Sequence, residues 1–288
     1  IDKLNILGGL RYDRMRFSTD NPSPEQSGRR TFDSFSPSIG LSYQPRSYTL
    51  YTNLSTSFQA PTTTELVNRP GGGNGFNPDL KPESTVGLEV GVRSDETKSF
   101  QFDIAAYHLW IYNLLFPYQL EDNGPTFYRN QGETAHMGIE GRIGYAIGRD
   151  WKFTATANVT AAEFKQAETL DNLSLEGNTI PGIPEHRLNT TLQWSPRQFL
   201  GTLSYEYASS YPVNNLNSEE NEAYNVLDLS LSYQLDLIKS GVMLQPFLSI
   251  NNLLDERYNS SVAINNPGGR YYEPAPGRNW QAGVSVNF

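Results

Sequence analysis

Apolar and polar residues alternate one by one along most of this chain, and a period of two is the mark of a β-strand whose two faces meet different surroundings. In residues 48–58, Tyr48, Leu50, Thr52, Leu54, Thr56 and Phe58 share one face, opposite Thr49, Tyr51, Asn53, Ser55 and Ser57. Further on, Phe100, Phe102, Ile104, Ala106, Trp110 and Tyr112 oppose Gln101, Asp103 and Tyr107. Trp151, Phe153, Ala155, Ala157, Val159 and Ala161 oppose Lys152, Thr154, Thr156, Asn158 and Thr160. Near the C-terminus, Trp280, Ala282, Val284, Val286 and Phe288 oppose Gln281, Gly283, Ser285 and Asn287. The pattern predicts about twelve strands, near residues 4–16, 34–44, 48–58, 83–93, 98–112, 134–147, 150–162, 187–195, 199–207, 223–234, 242–251 and 279–288. No helical stripe competes with them, so the expected class is all-β.

A soluble sandwich alternates too, so strand length and connections must discriminate. Residues 48–58 and 100–110 each make ten steps between two aromatics. Ten steps at ~3.3 Å span about 33 Å, or about 25 Å of height at a tilt of roughly 40°, which matches the lipid-facing band of a transmembrane barrel. Aromatics at both ends fit its interfacial girdles. The connections alternate between long (17–33, 59–82, 113–133, 163–186, 208–222, 252–278) and short (45–47, 94–97, 148–149, 195–198, 235–241). Long outer loops and short periplasmic turns are the rhythm of an outer-membrane barrel. The expectation is a transmembrane antiparallel β-barrel, about twelve strands of it present here, either a complete twelve-stranded barrel or part of a wider one, with both termini on the periplasmic side. No run of about 18 apolar residues offers a membrane helix instead.

Charge follows the same division. The chain carries 22 Lys and Arg against 31 Asp and Glu, a formal charge of −9. With the fourth counted from residue 165, the long connections alone hold 18 acidic and 9 basic residues, so the whole excess belongs to the proposed outer rim. An acidic chain argues against a nucleic-acid partner, which calls for a basic surface.

Catalytic constellations are scarce. There is no cysteine, hence no disulfide, thiolate site or cysteine nucleophile. His108, His136 and His186 lie far apart, without partners at ligand spacing. No G-x-S-x-G elbow occurs. The run Gly71-Gly72-Gly73-Asn74-Gly75 lacks the Lys-Ser/Thr of a phosphate cradle. His108 on the apolar face leaves a lipid-face enzyme as one alternative, and a girdle histidine beside Trp110 as the plainer one. No cofactor or metal site is expected. On the polar face, Glu89, Arg93, Asp103, Glu140, Arg142, Arg187, Glu206 and Asp228 line either water or something that fills a wider barrel.

Several motifs in order resemble the TonB-dependent outer-membrane receptors, of the siderophore and iron-complex type. Ser57-Phe58-Gln59-Ala60-Pro61-Thr62 with Glu65-Leu66 is similar to their S-F-R-A-P strand exit. Asn77-Pro78-Asp79-Leu80-Lys81-Pro82-Glu83 resembles N-P-x-L-K-P-E, with Gly87-Leu88-Glu89-Val90-Gly91 as the strand after it. His136-Met137-Gly138-Ile139-Glu140 is similar to R-x-x-G-x-E, with His in place of Arg. Asn251 to Tyr258 (N-N-L-L-D-E-R-Y) and Pro276-Gly277-Arg278 through Phe288 complete the set.

The resemblance implies a plug inside a barrel of about 22 strands and an N-terminal TonB box, with residues 1–288 as the C-terminal half of the barrel. Plug and box would then lie upstream. It implies energised uptake through the TonB-ExbB-ExbD complex. The expected cargo is a ferric siderophore or similar iron complex, with cobalamin (its acidic loops holding Ca²⁺), haem, copper, oligosaccharide or a passive porin as alternatives. It implies that Glu89 and Glu140 contact the plug and that Phe288 signals to the barrel assembly machinery. A ferric chelate would call for cations and flat rings at the mouth. The rim residues that offer both are Arg69, Tyr128, Arg129, Tyr211, Arg270, Tyr271 and Tyr272.

Overall fold

The computed structural model describes residues 3–19, 28–70, 75–95, 97–119, 125–169, 173–237, 242–266 and 268–287. Twelve long strands run through one antiparallel sheet in chain order. They are β1 (Leu4–Thr19), β2 (Gly28–Tyr43), β3 (Tyr48–Gln59), β4 (Glu83–Ser94), β5 (Phe100–Tyr112), β6 (Glu133–Ile147), β7 (Trp151–Gln166), β8 (His186–Trp194), β9 (Phe199–Ala208), β10 (Tyr224–Tyr233), β11 (Val242–Asn251) and β12 (Asn279–Asn287). Leu235–Leu237 continues the ladder of β10 onto β11. The twelve expected strands are all present. Three ends run further than alternation suggests: β1 reaches Thr19, β2 begins at Gly28 and β7 reaches Gln166. Part of what reads as outer loop is therefore strand standing above the membrane band.

The ladder fixes which residues share a face, because directly opposed residues point the same way. One face joins Ile39 to Leu54, Leu54 to Leu88, Leu88 to His108, Ala106 to Ile139 and Ile139 to Val159. These side chains are open to the surroundings: Ile139 is 58% exposed, Val284 60% and Trp280 73%. A continuous apolar face of this extent belongs against lipid. Among the described residues no helix is long and apolar enough to cross a membrane, so the strands do the crossing.

The opposite face joins Asn53 to Glu89, Glu89 to Tyr107, Ala105 to Glu140 and Glu140 to Asn158. Two tyrosines lie flat along it. The Tyr51 ring crosses Gly91, where any Cβ would overlap the ring, and Tyr107 crosses Gly138 in the same way. Glycine at these two positions lets a large ring cover the wall without filling the space in front of it.

Among the described residues the sheet is open along both edges: β1 pairs only with β2, and β12 only with β11. The buried cores sit at the end of the long connections. One holds Phe32, Leu66, Phe76 and Leu80; the other holds Phe116, Phe164, Ala167 and Leu175.

Candidate functional site

Two of the sequence motifs fold against each other at the mouth. Thr62 caps the short helix Thr63–Val67 in a capping box: its hydroxyl accepts from Glu65 N, and Glu65 Oε2 accepts from Thr62 N at 2.6 Å. That turn points Leu66 into the core, fully buried beside Leu80, which is 1% exposed. Asn77 N donates to Leu66 O at 2.6 Å, and Asn77 Oδ1 accepts from Asp79 N. Lys81 N donates to Asn130 Oδ1 at 2.6 Å and Glu83 Oε1 accepts from Leu115 N at 2.6 Å, which ties in the hairpin Leu115–Gln119/Thr126–Asn130.

The last two motifs are the halves of another clasp. Asn252, 2% exposed with φ of 53°, donates from its backbone to Asp228 Oδ1 at 2.7 Å. Its side chain bonds Glu256 O and Glu256 N, both at 2.8 Å. Asp255 then accepts from Arg278 N at 2.9 Å and meets the Arg278 guanidinium at 3.6 Å. The chain leaving β11 is thus fastened to the chain entering β12.

Neutral amides lace the outer connections together. Asn217 and Thr179 exchange two bonds; Asn178 Nδ2 donates to Asn215 O; Asn265 bonds both Asn215 N and Asn215 Oδ1; Asn259 donates to Asn221. Tyr272 Oη donates to Glu220 O at 2.7 Å. The described residues of connections 167–185, 209–223 and 252–278 form one joined plate. Nothing in the residue pattern announced this network, because Asn in a loop reads equally well as turn or solvated side chain.

The inner wall carries the charges. A cavity of about 350 Å³ opens onto it, lined among others by Tyr51, Asp103, Glu140, Arg142, Asn158 and Arg187. Tyr51 Oη donates to Asp103 Oδ1 at 3.0 Å, and the Arg93 guanidinium stands 5.5 Å from the Tyr51 ring. Glu89 and Glu140 both stand on this wall, Glu140 in the cavity lining and Glu89 one strand pair away. Among the described residues neither carboxylate has a cation within ion-pair distance. His108 is on the lipid face, stacked on Trp110 at 4.0 Å and 14°, as a girdle residue would be. No group of three or more His, Asp or Glu converges among the described residues.

The rim residues expected to meet a ligand divide into groups. Tyr128 turns inward and packs against the core of Phe32, Leu66, Phe76 and Leu80. Arg129, on the other face of the same hairpin, lies over the Tyr118 ring at 5.4 Å and donates weakly to Glu168 O and Thr169 O at 3.5 and 3.4 Å. It borders a cavity of about 280 Å³ with Phe116, Tyr118, Leu173 and Leu216. Arg69 is half-buried and engaged with its surroundings. Tyr211 opposes Asn221 across a two-residue ladder, and burial pushes its phenol above the ordinary value while Arg187 pulls the other way. Tyr271 and Tyr272 meet edge to face at 5.9 Å. Slight burial, helped by Glu219, Tyr271, Glu222 and Tyr211, raises Tyr272 as well. Arg270 is exposed. Tyr211, Tyr271 and Tyr272 thus share one side of the mouth, while Arg129 sits with a different loop pair. Phe288, Gly71, Gly72, Gly73 and Asn74 lie outside the described residues.

One cluster went unread. Tyr224 Oη donates to Glu206 Oε1 at 3.0 Å, and the Tyr224 ring stacks on Tyr258 at 5.0 Å and 27°. Burial, with Asp228 and Glu206 nearby, raises the Tyr258 phenol. Alternation puts Glu206 and Arg187 on the wet face; only the loop path brings Tyr258 over them. With Tyr211 these residues make an aromatic wall just below the mouth.

This architecture has known counterparts. Residues 1–253 match the family described as TonB dependent receptor-like, beta-barrel. The vitamin B12 transporter BtuB of Vibrio vulnificus is 27% identical over 250 residues, covering 84% of this chain and 36% of that protein. The iron-regulated outer membrane virulence protein of Vibrio cholerae serotype O1 is 23% identical over 282 residues, covering 86% of this chain and 40% of that protein. The ferric yersiniabactin uptake receptor FyuA of Yersinia pestis superposes with a TM-score of 0.77 at 17% identity, over 99% of this chain and 43% of its own. The chain therefore spans about two fifths of the length of these relatives. With its lipid-facing band, it is a wall of the outer membrane of a Gram-negative bacterium. Its sequence match and its sheet lead to one statement: the chain belongs to the TonB-dependent receptor-like β-barrel family.

Proposed function

We propose that the chain, residues 1–288, is the C-terminal barrel wall of an outer-membrane receptor that takes up a ferric siderophore or similar iron complex, energised through TonB-ExbB-ExbD. The observation that carries this reading is the inner wall. Glu89 and Glu140 face inward without an ion-pair partner among the described residues, and charge on a barrel wall calls for water or a complementary filling. A plug within the same protein supplies that filling. The open edges of β1 and β12 support the same reading, since backbone groups at a sheet edge in lipid must find partners. Phe288 would serve as the signal to the barrel assembly machinery. Binding and a shift in plug conformation do the work; no covalent chemistry is required.

Cobalamin is the second reading, favoured by the 27% identity with a vitamin B12 transporter. Titration of the full-length receptor with ferric siderophores, ferric citrate and cyanocobalamin, with uptake measured in cells with and without TonB, tests both. Saturable binding of an iron complex and TonB-dependent uptake are expected. Binding of cyanocobalamin alone moves the cargo to the second reading, and uptake indifferent to TonB makes the protein a passive channel.

A further inference from the structure

The β1–β2 hairpin carries five arginines, and the ladder sorts them onto two faces. Arg11 and Arg30 point inward and are engaged there, although Arg30 Nε is buried without a hydrogen-bond partner. Arg11 pairs with Asp13 at 2.7 Å; Arg30 donates to Leu80 O at 2.8 Å and lies over the Phe32 ring at 5.3 Å. Arg14, Arg16 and Arg29 share the outward face with Ile6, Leu10 and Ile39, as the rungs Arg14–Asp33, Arg16–Thr31 and Ser18–Arg29 show.

Their height above the apolar band matters. On this face the last apolar rung is Tyr12 opposite Phe35, 51% and 64% exposed, with ring centroids 4.9 Å apart. The first charged rung, Arg14–Asp33, follows directly. Each further rung adds two residues, about 6.7 Å of strand or about 5 Å of height at a tilt near 40°. Arg14 and Arg16 thus stand about 5 and 10 Å above the aromatic pair, within and just beyond the polar layer of about 5–8 Å that borders a bilayer core. Asp33 does little to neutralise them. Its Oδ1 accepts from Tyr12 Oη at 2.6 Å, whereas Arg14 Nε stands 3.6 Å away. Arg16 and Arg29 are exposed and have no ion pair among the described residues. The outward surface of the hairpin thus carries two net positive charges, on a rim whose long connections sum to −9.

We propose that Arg14, Arg16 and Arg29 bind the phosphate groups of the glycolipid that forms the outer leaflet of this membrane, with Tyr12 and Phe35 seated at the top of its acyl chains. Guanidinium is the side chain best matched to phosphate, offering a planar fork of donors. A lipid phosphate arrives at this height already beside the hairpin, whereas a soluble anion meets an acidic rim. The assignment concerns the outside of the wall and is independent of what the receptor transports.

The test uses the full-length receptor extracted from outer membranes in mild detergent, with glycolipid retained per protein counted by native mass spectrometry. Replacing all three arginines (Arg14→Ala, Arg16→Ala, Arg29→Ala) should lower retention at least ten-fold, while Arg46→Ala with Arg149→Ala, at the opposite end of the wall, should leave it within two-fold. Added phosphorylated glycolipid should restore the wild-type count after delipidation, and inorganic phosphate at millimolar concentration should not compete. Equal retention in the triple variant, or equal loss in the control, overturns the proposal; full competition by inorganic phosphate overturns the lipid as occupant. If the triple variant gives no heat-modifiable barrel, Arg16→Ala and Arg29→Ala singly should each lower retention two- to five-fold, and unchanged retention in both again overturns it.

Discussion

Asn217 and Thr179, 38 residues apart in sequence, bond through both polar atoms of the asparagine amide: Thr179 N donates to Asn217 Oδ1 at 2.8 Å, and Asn217 Nδ2 donates to Thr179 O at 2.9 Å. The pair imitates one rung of a β-ladder with a side chain in place of a strand. It joins two of the outer connections, the one before β8 and the one before β10.

Asn217→Ala should therefore loosen the plate locally and leave the barrel intact. Two backbone groups would lose their partners, at about 1–3 kcal/mol for a buried group left unsatisfied. Hydrogen exchange at the Thr179 amide should speed up by roughly 10- to 100-fold, since ~1.4 kcal/mol is a factor of ten. Unchanged protection would mean that the neighbouring bonds hold the loops without it.

The two faces of the wall make opposite demands. Leu88, Val90, Ala157 and Val284 are on the lipid side, and Thr156 and Ser285 on the inner side. Arg introduced near the midplane at the first four should cost about 2–4 kcal/mol, and at Thr156 or Ser285 much less. Denaturant titration of the barrel folded in detergent or lipid measures this. Equal costs on both faces would be incompatible with the assignment.

Asn252 occupies a left-handed conformation that asparagine tolerates and alanine does not. Asn252→Ala should lose both the backbone fit and the bonds to Glu256, for a cost on the order of 2–4 kcal/mol. Asn252→Asp keeps the acceptor for Glu256 N and should cost less. The yield of heat-modifiable protein in outer membranes ranks the variants; an alanine variant as abundant as wild type would show that the clasp is dispensable.

The strands were legible because alternation and connection length follow from one constraint, a thin apolar band with water on both sides of the membrane. That is why even single positions such as Glu89, Glu140 and Glu206 fall on the expected face. The mouth was less legible. Leu66, Leu80 and Asn252 stand in motifs that mark the family, yet their work is to fasten loops, which a motif does not reveal. Tyr128 reads as a ligand-facing ring, and a motif does not reveal that its partly buried ring also packs with Leu115 against the core of Phe32 and Leu66. The pairing of Tyr224 with Tyr258 depends on a loop path that local residue types do not specify.

If a plug carries the complement of the inner wall, Glu89→Gln with Glu140→Gln in the full-length receptor should weaken its seat. Antibiotics too large for ordinary porins should then leak through, and protease should reach plug sites that are protected in the wild type. Unchanged permeability together with unchanged protection would leave these carboxylates facing only water.

The arginines at the mouth offer the sharpest test of where the cargo sits. Arg270 is exposed on the loop that carries Tyr271 and Tyr272, and its side chain makes no ion pair among the described residues. Arg270→Ala should leave the loops in place and weaken a cognate anionic iron complex by about 1.5–3 kcal/mol, the range for a hydrogen bond to a charged group. Arg129 is different. Its guanidinium holds the Glu168 and Thr169 carbonyls and covers Tyr118, and its Nε is buried without a hydrogen-bond partner. Arg129→Ala should therefore both lower affinity and increase proteolysis of the 163–186 connection, whereas Arg129→Lys should keep the charge and lose the stacking. Titration of the intact receptor with ferric chelates, beside limited proteolysis, separates the two effects. Lost affinity with intact loops in Arg270→Ala places the ligand against the last connection. Unaltered affinity in both variants would remove the two loops from the proposed site and leave the wall of Tyr211, Tyr224 and Tyr258 as the candidate surface on this chain.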